Sequence, residues 1–275
     1  MNAPGISVLI LTKNEQQDLP GALQSVAWSD DLHVFDSYST DATVEVARAA
    51  GATVHSRTFD DYATHRNAAL ALPFRYPWLF ILDADERPTP ELSAEMQRVV
   101  AEAPTNTAGF RLRRRDFLFG TWLKHAQISP YYIRLVRAGH AKYTRAINEV
   151  LEVDGPVAEL LHPLDHFPFS KGMAHWVAKH NTYSSMEAEL IAREQGLQNP
   201  SLRSALSHPD FHTRRLHQKA LFYRLPVRPL IKWCYMMFFR GAVLDGAAGV
   251  TYATLQAFYE YLIVLKTKEL RRGCS

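Results

Sequence analysis

The stretch that decides the fold is Trp78-Leu-Phe-Ile-Leu-Asp-Ala-Asp-Glu86, in which five apolar residues run directly into Asp83 and Asp85. Such an apolar run is typical of a strand buried on both faces of a parallel sheet. In these sheets, ligands bind beyond the carboxyl ends of the strands. We therefore expect both carboxylates at a binding crevice, where they can hold Mg²⁺ or Mn²⁺ against phosphate oxygens. A solvated surface turn is the alternative interpretation.

Short apolar runs alternate with helical segments up to about residue 100, and this pattern predicts βαβ units with a largely parallel sheet. Polar residues follow the other strands too: Asn14 and Glu15 come after the first, and Asp36 and Ser37 end the second. The predicted strands are Ile6-Ser-Val-Leu-Ile-Leu-Thr12, Leu32-His-Val-Phe-Asp36 and Ala52-Thr-Val-His55. Helices are predicted near residues 19–26, 44–47, 62–72 and 91–101.

The pattern changes after Gly109, where strands of mixed direction are predicted at residues 110–115, 132–136 and 157–164. A long helix is predicted at residues 171–195, and residues 198–209 are the expected hinge. We therefore divide the chain into a domain of residues 1–197, with halves 1–105 and 106–197, and a C-terminal helical region of residues 198–275.

The composition is that of an ordinary globular protein. The 275 residues include 31 Lys and Arg against 28 Asp and Glu, and 47% are hydrophobic. This excludes a disordered, collagen-like or disulfide-scaffold protein. Cys234 and Cys274 have no paired spacing, and neither an export signal nor an uninterrupted apolar span of ~20 residues is visible. We expect a cytoplasmic protein.

The C-terminal region concentrates positive charge. Residues 211–244 contain seven Lys or Arg and no acidic residue, interleaved with aromatic residues. This pattern predicts peripheral attachment to anionic lipid on the inner face of the cytoplasmic membrane, or alternatively a homodimer through these helices. RNA-binding and membrane-scaffold proteins share the pattern. However, paired aspartates at the end of a buried strand would repel RNA, so no nucleic acid partner is expected.

Four blocks of sequence together suggest a family. They resemble, in order and spacing, the nucleotide-sugar half of family 2 glycosyltransferases: Ile6-Ser-Val-Leu-Ile-Leu-Thr-Lys-Asn-Glu15, Asp36-Ser-Tyr-Ser-Thr-Asp41, His65-Arg-Asn-Ala-Ala69 and Leu82-Asp-Ala-Asp-Glu86. Four later blocks look like the branch containing the lipopolysaccharide-core β-1,4-glucosyltransferases: Gly120-Thr-Trp-Leu-Lys-His125, Tyr132-Ile-Arg-Leu-Val136, Ile147-Asn-Glu149 and His166-Phe167. Asn148 departs from that branch, which commonly has His there.

The resemblance implies a GT-A fold, which is a Rossmann-like nucleotide-diphospho-sugar transferase domain, together with a UDP-sugar donor, a divalent metal and inversion at the anomeric carbon. UDP-glucose is the first donor to expect. Asp36 would then contact the nucleoside, although a turn or helix-cap role is its alternative. The implied nucleotide-sugar residues are Thr12, Asn14, Glu15, Asp36, Ser37, Arg66, Asp83, Ala84 and Asp85, and the implied metal ligands are Asp83, Asp85 and His166.

An inverting transfer needs a carboxylate that deprotonates the acceptor hydroxyl as it attacks. Glu149 is the expected base and Glu86 the reserve, although Glu149 could instead pair with Arg145 or Lys142 on the surface. Contacts to the acceptor or diphosphate are expected from Arg111, Trp122, Lys124, Arg134 and His166. A solvated strand face is the alternative for Arg111.

The predicted function is metal-dependent, inverting transfer of a hexose from a UDP-sugar to a lipid-linked saccharide of the cell envelope, such as lipopolysaccharide core. In the alternative within the same enzyme class, polyprenyl phosphate is the acceptor, and a strong base is unnecessary because the attacking oxygen already carries charge.

Overall fold

The computed structural model describes residues 5–144, 150–193, 199–209 and 211–273. The chain forms two compact units, the first made of Met1–Phe117 and Ser129–Ser170 and the second of Leu118–Ile128 and Lys171–Ser275. The domain boundary predicted at residues 197 and 198 lies outside the described residues. The division after Ser170 differs from it because the long helix after this point packs with the C-terminal helix.

The first unit follows the βαβ order that the sequence predicts. Its strands are β1 (Ile6–Thr12), β2 (Leu32–Asp36), β3 (Thr53–Ser56), β4 (Trp78–Asp83), β5 (Glu86–Pro88), β6 (Gly109–Leu118), β8 (Tyr131–Arg137), β9 (Ala141–Thr144), β10 (Val150–Val153), β11 (Val157–Glu159) and β12 (Leu164–His166). The short β7 (Thr121–Trp122) follows β6 in the chain and belongs to the second unit. Its helices are α1 (Leu19–Ser25), α2 (Thr43–Ala49), α3 (Tyr62–Leu70) and α4 (Pro90–Glu102).

The main sheet has the strand order β3-β2-β1-β4-β8-β6-β12-β5, and β11 also pairs with β6. Strands β1 to β4 are parallel, whereas β8 runs antiparallel to β4. Successive residues of β1 alternate between two cores, since Val8 and Ile10 pack with α1, α2 and α4 while Leu9 packs toward α3. This double coverage explains why β1 and β4 are apolar almost throughout.

The second unit is helical. It contains α5 (Gly172–Ala192), α6 (Leu202–Ser207), α7 (Phe211–Phe222), α8 (Arg228–Cys234), a π-helical turn (Tyr235–Phe239), a 3-10 turn (Ala242–Asp245) and α9 (Gly246–Gly273). Polar contacts tie α9 to its neighbours: Lys266 Nζ donates to Ser184 Oγ at 2.8 Å, and Arg228 Nε lies 3.2 Å from Glu260 Oε1. In the part of the chain that the structure describes, no helix is sufficiently long and apolar to cross a bilayer.

Two features of the first unit differ from the sequence prediction. The strand predicted at residues 157–164 is two short strands, β11 and β12, which pair with different parts of β6. Strand β5 was not predicted because it has only three residues, one of them a proline. Its antiparallel pairing with β12 places His166 opposite Glu86, and β12 pairs with β6 so that His166 also lies opposite Asp116. These two strand pairings bring Glu86, Asp116 and His166 together at the centre of the candidate site.

Candidate active site

Three parallel strands end side by side at one edge of the first unit. Thr12 is the register partner of Asp36, and Leu11 is the partner of Asp83. The polar residues that end β1, β2 and β4 are therefore brought together, as the sequence predicts. This edge is the crevice position at which ligands bind in open α/β sheets.

Asp36 has a structural role in the loop after β2, and its predicted contact with a nucleoside stays a prediction. Its side chain is fully buried, and its carboxylate accepts hydrogen bonds from Thr12 Oγ1 at 2.9 Å, Ser39 Oγ at 2.5 Å and Ser39 N at 2.7 Å. These bonds hold the loop that follows β2, so Asp36 shapes the turn there. This is the turn role that the sequence left open as its alternative.

The loops after β1 and β2 are bonded to each other. Lys13 Nζ donates to the carbonyl oxygens of Ser37 at 2.8 Å and Tyr38 at 2.6 Å, and Asn14 Oδ1 accepts from Thr40 N at 2.8 Å. Asn14 and Tyr38 both have positive φ, 54° and 57°. The loop conformation exposes more than half of the Tyr38 ring. A large aromatic residue in the left-handed region is unusual and marks this loop as a candidate contact surface.

The other residues predicted to contact the nucleotide sugar differ in their burial and hydrogen bonding. Glu15 N donates to Thr43 Oγ1 at 2.7 Å, and the Ser37 hydroxyl lies 2.9 Å from Nε2 of the buried His65. Burial, followed by the nearby Arg57 charge, lowers the pKa of His65, so His65 is neutral at physiological pH. Ala84 is buried and only its backbone can face a ligand. Lys13, Tyr38 and His65 were not predicted as site residues, although all three lie inside the quoted motifs.

Asp83 is ion-paired with two arginines. Its Oδ1 accepts from Arg66 Nη2 at 3.1 Å and its Oδ2 from Arg134 Nη2 at 2.8 Å. Burial raises the pKa of Asp83, but the Arg66 and Arg134 charges outweigh this effect and hold the pKa well below its usual range. The metal contact predicted for Asp83 stays a prediction, because a carboxylate oxygen that accepts one hydrogen bond keeps a lone pair for a cation.

Glu86 does not suit the role of reserve base. Its side chain is completely buried, with Oε1 2.6 Å from Arg134 Nη2 and 3.4 Å from Arg114 Nη1. Its Oε2 accepts the backbone N–H of Asp83 at 3.0 Å. A general base must reach the proton that it removes, and a buried, doubly ion-paired carboxylate cannot. Arg134 is correspondingly a buried structural cation and not the predicted contact to acceptor or diphosphate.

Asp85 and His166 face each other at the end of β4. His166 Nε2 lies 3.2 Å from Asp85 Oδ2, and its Nδ1 makes a short hydrogen bond to Asp116 Oδ1. Burial lowers the pKa of His166, but its bonds to Asp116 and Asp85 outweigh this effect and raise the pKa to about 9. The imidazole is therefore charged at neutral pH and lies between two carboxylates.

Asp85 and His166 supply part of the ligand set that a divalent cation needs. One carboxylate and one imidazole are donors that Mn²⁺ accepts, and a carboxylate suits Mg²⁺. Among the described residues, no three His, Cys, Asp or Glu side chains are grouped so as to hold an ion. A metal at this position would thus take Asp85 and the deprotonated His166 as protein ligands and need further oxygens from the substrate.

A continuous chain of opposite charges lies behind this pair. It runs from Asp83 through Arg134, Glu86, Arg114 and Asp116 to His166 and Asp85. With Arg66 on Asp83, the network has four carboxylates against three guanidinium groups and one imidazolium, so its net charge is zero. Because each buried charge has a partner, the network can hold Asp85 and His166 in place without an unpaired buried ion.

The predicted acceptor residues are distributed over both units. Arg111 lies on β6, where its Nη2 is 3.3 Å from Glu159 Oε2 and its guanidinium lies over the Tyr131 ring; this is the solvated strand face left open above. Trp122 and Lys124 belong to the second unit, in which Lys124 Nζ lies 5.7 Å from the Trp122 ring centroid. Glu149 lies outside the described residues, and its role stays a prediction.

Comparison with known proteins identifies the family. Residues 7–151 match the family model described as glycosyl transferase family 2. The chain belongs to glycosyl transferase family 2. This family 2 glycosyltransferase is 26% identical to the lipopolysaccharide core biosynthesis glycosyltransferase LpsC of Rhizobium meliloti (strain 1021), over 95% of this chain and 91% of LpsC. It is 25% identical to an uncharacterized glycosyltransferase of Rickettsia bellii (strain RML369-C), over 98% of this chain and 88% of that protein.

Among solved structures, glucosyl-3-phosphoglycerate synthase from Mycobacterium tuberculosis is similar to part of this chain. The match has 22% sequence identity and a TM-score of 0.36, and it covers 41% of this chain and 44% of that chain. The family match and LpsC confirm the resemblance inferred from the sequence motifs. The mixed α/β sheet of this family 2 glycosyltransferase is a GT-A fold, and the long C-terminal helix α9 is present as expected.

Proposed function

We propose that this family 2 glycosyltransferase transfers a hexose, with inversion, from a UDP-sugar to a lipid-linked saccharide such as lipopolysaccharide core. UDP-glucose is the first donor to test, and the cytoplasmic face of the membrane is the proposed location. The observation that carries the proposal is the Asp85–His166 pair at the end of β4, separated by 3.2 Å and backed by a neutral ion network. The similarity to LpsC along nearly the whole chain supports the class of acceptor.

Different groups of the site would contact different parts of a nucleotide sugar. The bonded loops after β1 and β2 present backbone groups and the Tyr38 ring, which suit a nucleoside. Asp85 and His166 would hold Mg²⁺ or Mn²⁺, and the bound ion would offset the charge that develops on the departing diphosphate. Arg66 and Arg134 keep Asp83 ionised and fixed, so the backbone turn that carries Asp85 stays in place.

The acceptor proton needs a base, and Glu149 is the proposed residue. We predict that Glu149→Gln lowers turnover by a factor of about 10² or more while donor affinity is retained, which is the usual scale for a missing general base. Single-turnover kinetics together with UDP-sugar binding would measure both effects. Transfer by Glu149→Gln at the rate of the unmodified enzyme would contradict the assignment. Under the alternative function, with polyprenyl phosphate as acceptor, the same substitution has little effect.

The direct test is a donor and metal screen. Metal-stripped enzyme is incubated with UDP-glucose, UDP-galactose, UDP-GlcNAc or GDP-mannose, with and without Mn²⁺, and release of the nucleoside diphosphate is measured. We expect UDP-sugar turnover that requires added metal and is lost in Asp85→Asn. Asp165→Asn is the matched control, because Asp165 adjoins His166 in the sequence but pairs with Arg115. Full activity after metal removal, or a preference for GDP-mannose, would overturn the proposal.

A further inference from the structure

The second unit exposes an apolar surface built from two separate segments, residues 119–128 and 235–244, which we name the docking patch. Its large side chains are unusually exposed for apolar residues: Phe119 71%, Ile128 62%, Phe238 69%, Phe239 85% and Leu244 70%. Met236, Met237 and Ala242 of the same segments are buried. The buried side chains therefore fix the segments to the rest of the unit, while the largest apolar side chains are exposed to solvent.

Hydrogen bonds hold the two segments together. The buried Asp245 carboxylate accepts from His125 N at 2.8 Å and Ala126 N at 2.7 Å, and it lies 2.6 Å from His125 Nδ1. Arg240 Nη2 donates to His125 O at 3.2 Å. The exposed groups thus belong to one braced surface. Several exposed apolar side chains on two segments that are bonded together indicate an interaction surface.

The charge of the docking patch selects the type of partner. Its two segments contain Lys124, His125 and Arg240 but no acidic residue, and the adjoining Asp245 is buried and bonded to His125. A symmetric dimer through this patch would bring the same cations together without counter-charges. A stable dimer also needs roughly 20–30 residues from each subunit, and the two segments have 20 residues in total, several of them buried. An anionic lipid surface matches both the cations and the exposed aromatic rings.

Internal ion pairs limit the electrostatic part of this attraction. Of the seven cations counted in residues 211–244, Lys219 pairs with Glu187 at 2.7 Å and Arg228 with Glu260 at 3.2 Å. These two charges are offset within the unit. Apolar insertion at the level of the lipid headgroups must therefore supply a large part of the binding.

We propose that the docking patch inserts into the interfacial layer of an anionic membrane. This proposal is independent of donor, metal and acceptor, because it concerns a surface of the second unit alone. It replaces the general idea of a basic C-terminal region by two defined segments, one of which precedes that region in the chain.

Vesicle flotation of the full-length protein tests the proposal. Vesicles of phosphatidylcholine alone are compared with vesicles that also contain phosphatidylglycerol, at low and high salt. We expect Phe239→Ser with Leu244→Ser to lower the partition coefficient on anionic vesicles at least about tenfold, while hydrolysis of the UDP-sugar is unchanged. The matched control is Leu202→Ser with Leu206→Ser on α6, which removes two leucines of similar exposure, 66% and 73%, and should bind like the unmodified protein.

Three outcomes would overturn the proposal. They are absence of binding by the unmodified protein, equal binding of the docking-patch variant and the unmodified protein, and equal loss in the control variant. Light scattering separates the dimer alternative: a dimer that becomes a monomer in the docking-patch variant, without vesicle binding, would assign the patch to a second copy. Loss of vesicle binding with intact UDP-sugar hydrolysis supports the proposal regardless of the acceptor.

Discussion

At the scale of single residues, the buried charges of the site are stabilised by neighbouring charges of opposite sign. Arg134 is nearly inaccessible and lies between Asp83 and Glu86, at 2.8 Å and 2.6 Å. Removing one member of such a buried set leaves the others uncompensated in a medium of low dielectric constant. By contrast, Arg111 makes its ion pair with Glu159 on the surface, where solvent screens the interaction.

This contrast gives a stability prediction. Arg134→Met should lower the free energy of unfolding by about 3–5 kcal/mol, because Asp83 and Glu86 lose their shared counter-charge. The matched substitution Arg111→Met should cost about 1 kcal/mol or less. Urea unfolding followed by circular dichroism measures both. Similar losses for the two variants would show that the buried network does not stabilise the fold as described.

At the scale of elements, helix α4 holds the segment that leads into β12. The Glu95 carboxylate accepts the backbone N–H groups of Leu161 at 3.0 Å and His162 at 3.0 Å, and it lies 2.9 Å from His162 Nδ1. Since β12 carries His166, this contact helps to position His166 beside Asp85. Burial raises the pKa of Glu95, but the hydrogen bonds from Leu161 and His162 outweigh it, so the pKa is lowered.

A lowered carboxyl pKa makes stability depend on pH in a known direction. The ionised Glu95 stabilises the fold fully above its unfolded pKa of about 4.3, and this contribution is lost as the pH falls through the lower, folded value. We predict that the stability difference between the unmodified protein and Glu95→Gln is largest at neutral pH and shrinks toward about pH 3. Urea midpoints measured across this range check it. A difference that grows on acidification would contradict the assigned bonds.

Close approach of two elements also makes a glycine necessary in the second unit. A Cβ added to Gly249 of α9 would lie 2.0 Å from the Ala242 carbonyl oxygen and 2.7 Å from Asp245 Cβ. We predict that Gly249→Ala destabilises the protein by about 1–3 kcal/mol, despite the better helix propensity of alanine. Gly273→Ala, which meets open space, serves as the control. An unchanged melting temperature in Gly249→Ala would refute the prediction.

At the scale of the whole molecule, the second unit is discontinuous in sequence. Residues 118–128 are separated from residues 171–275 by the part of the chain that supplies β8 to β12. Asp245, which is buried, finds its backbone donors in the earlier segment. The C-terminal region is therefore not a simple appendage that can be removed at a hinge.

A fragment test follows from this arrangement. Residues 171–275 expressed alone should lack a cooperative thermal transition, because Asp245 loses its bonds to His125 and Ala126 and is left as a buried, unpaired charge. Circular dichroism against temperature, compared with the full chain, measures this. A cooperative transition of the fragment at the melting temperature of the full chain would show that residues 118–128 are dispensable.

Local chemistry made several elements predictable from the sequence. Strands β1, β2 and β4 were predicted to within a residue, because apolar runs bounded by polar residues report burial directly. The helix predicted at residues 91–101 is α4, which begins one residue earlier at Pro90, where the missing N–H costs nothing. The position of Thr12, Asp36 and Asp83 at one edge was predictable, because the carboxyl ends of parallel strands lie at the same edge of a sheet.

By itself, then, the sequence determined the family, the order of the βαβ units and the strand ends that carry the site. The tertiary structure decided which charges meet, because partners such as Asp85 and His166 are 81 positions apart and only the β5–β12–β6 registers bring them together. It also decided that Glu86 and Arg134 are buried structural ions, since burial depends on what packs over a residue. Local sequence patterns report which face of an element is apolar, but they do not report which distant element will cover it.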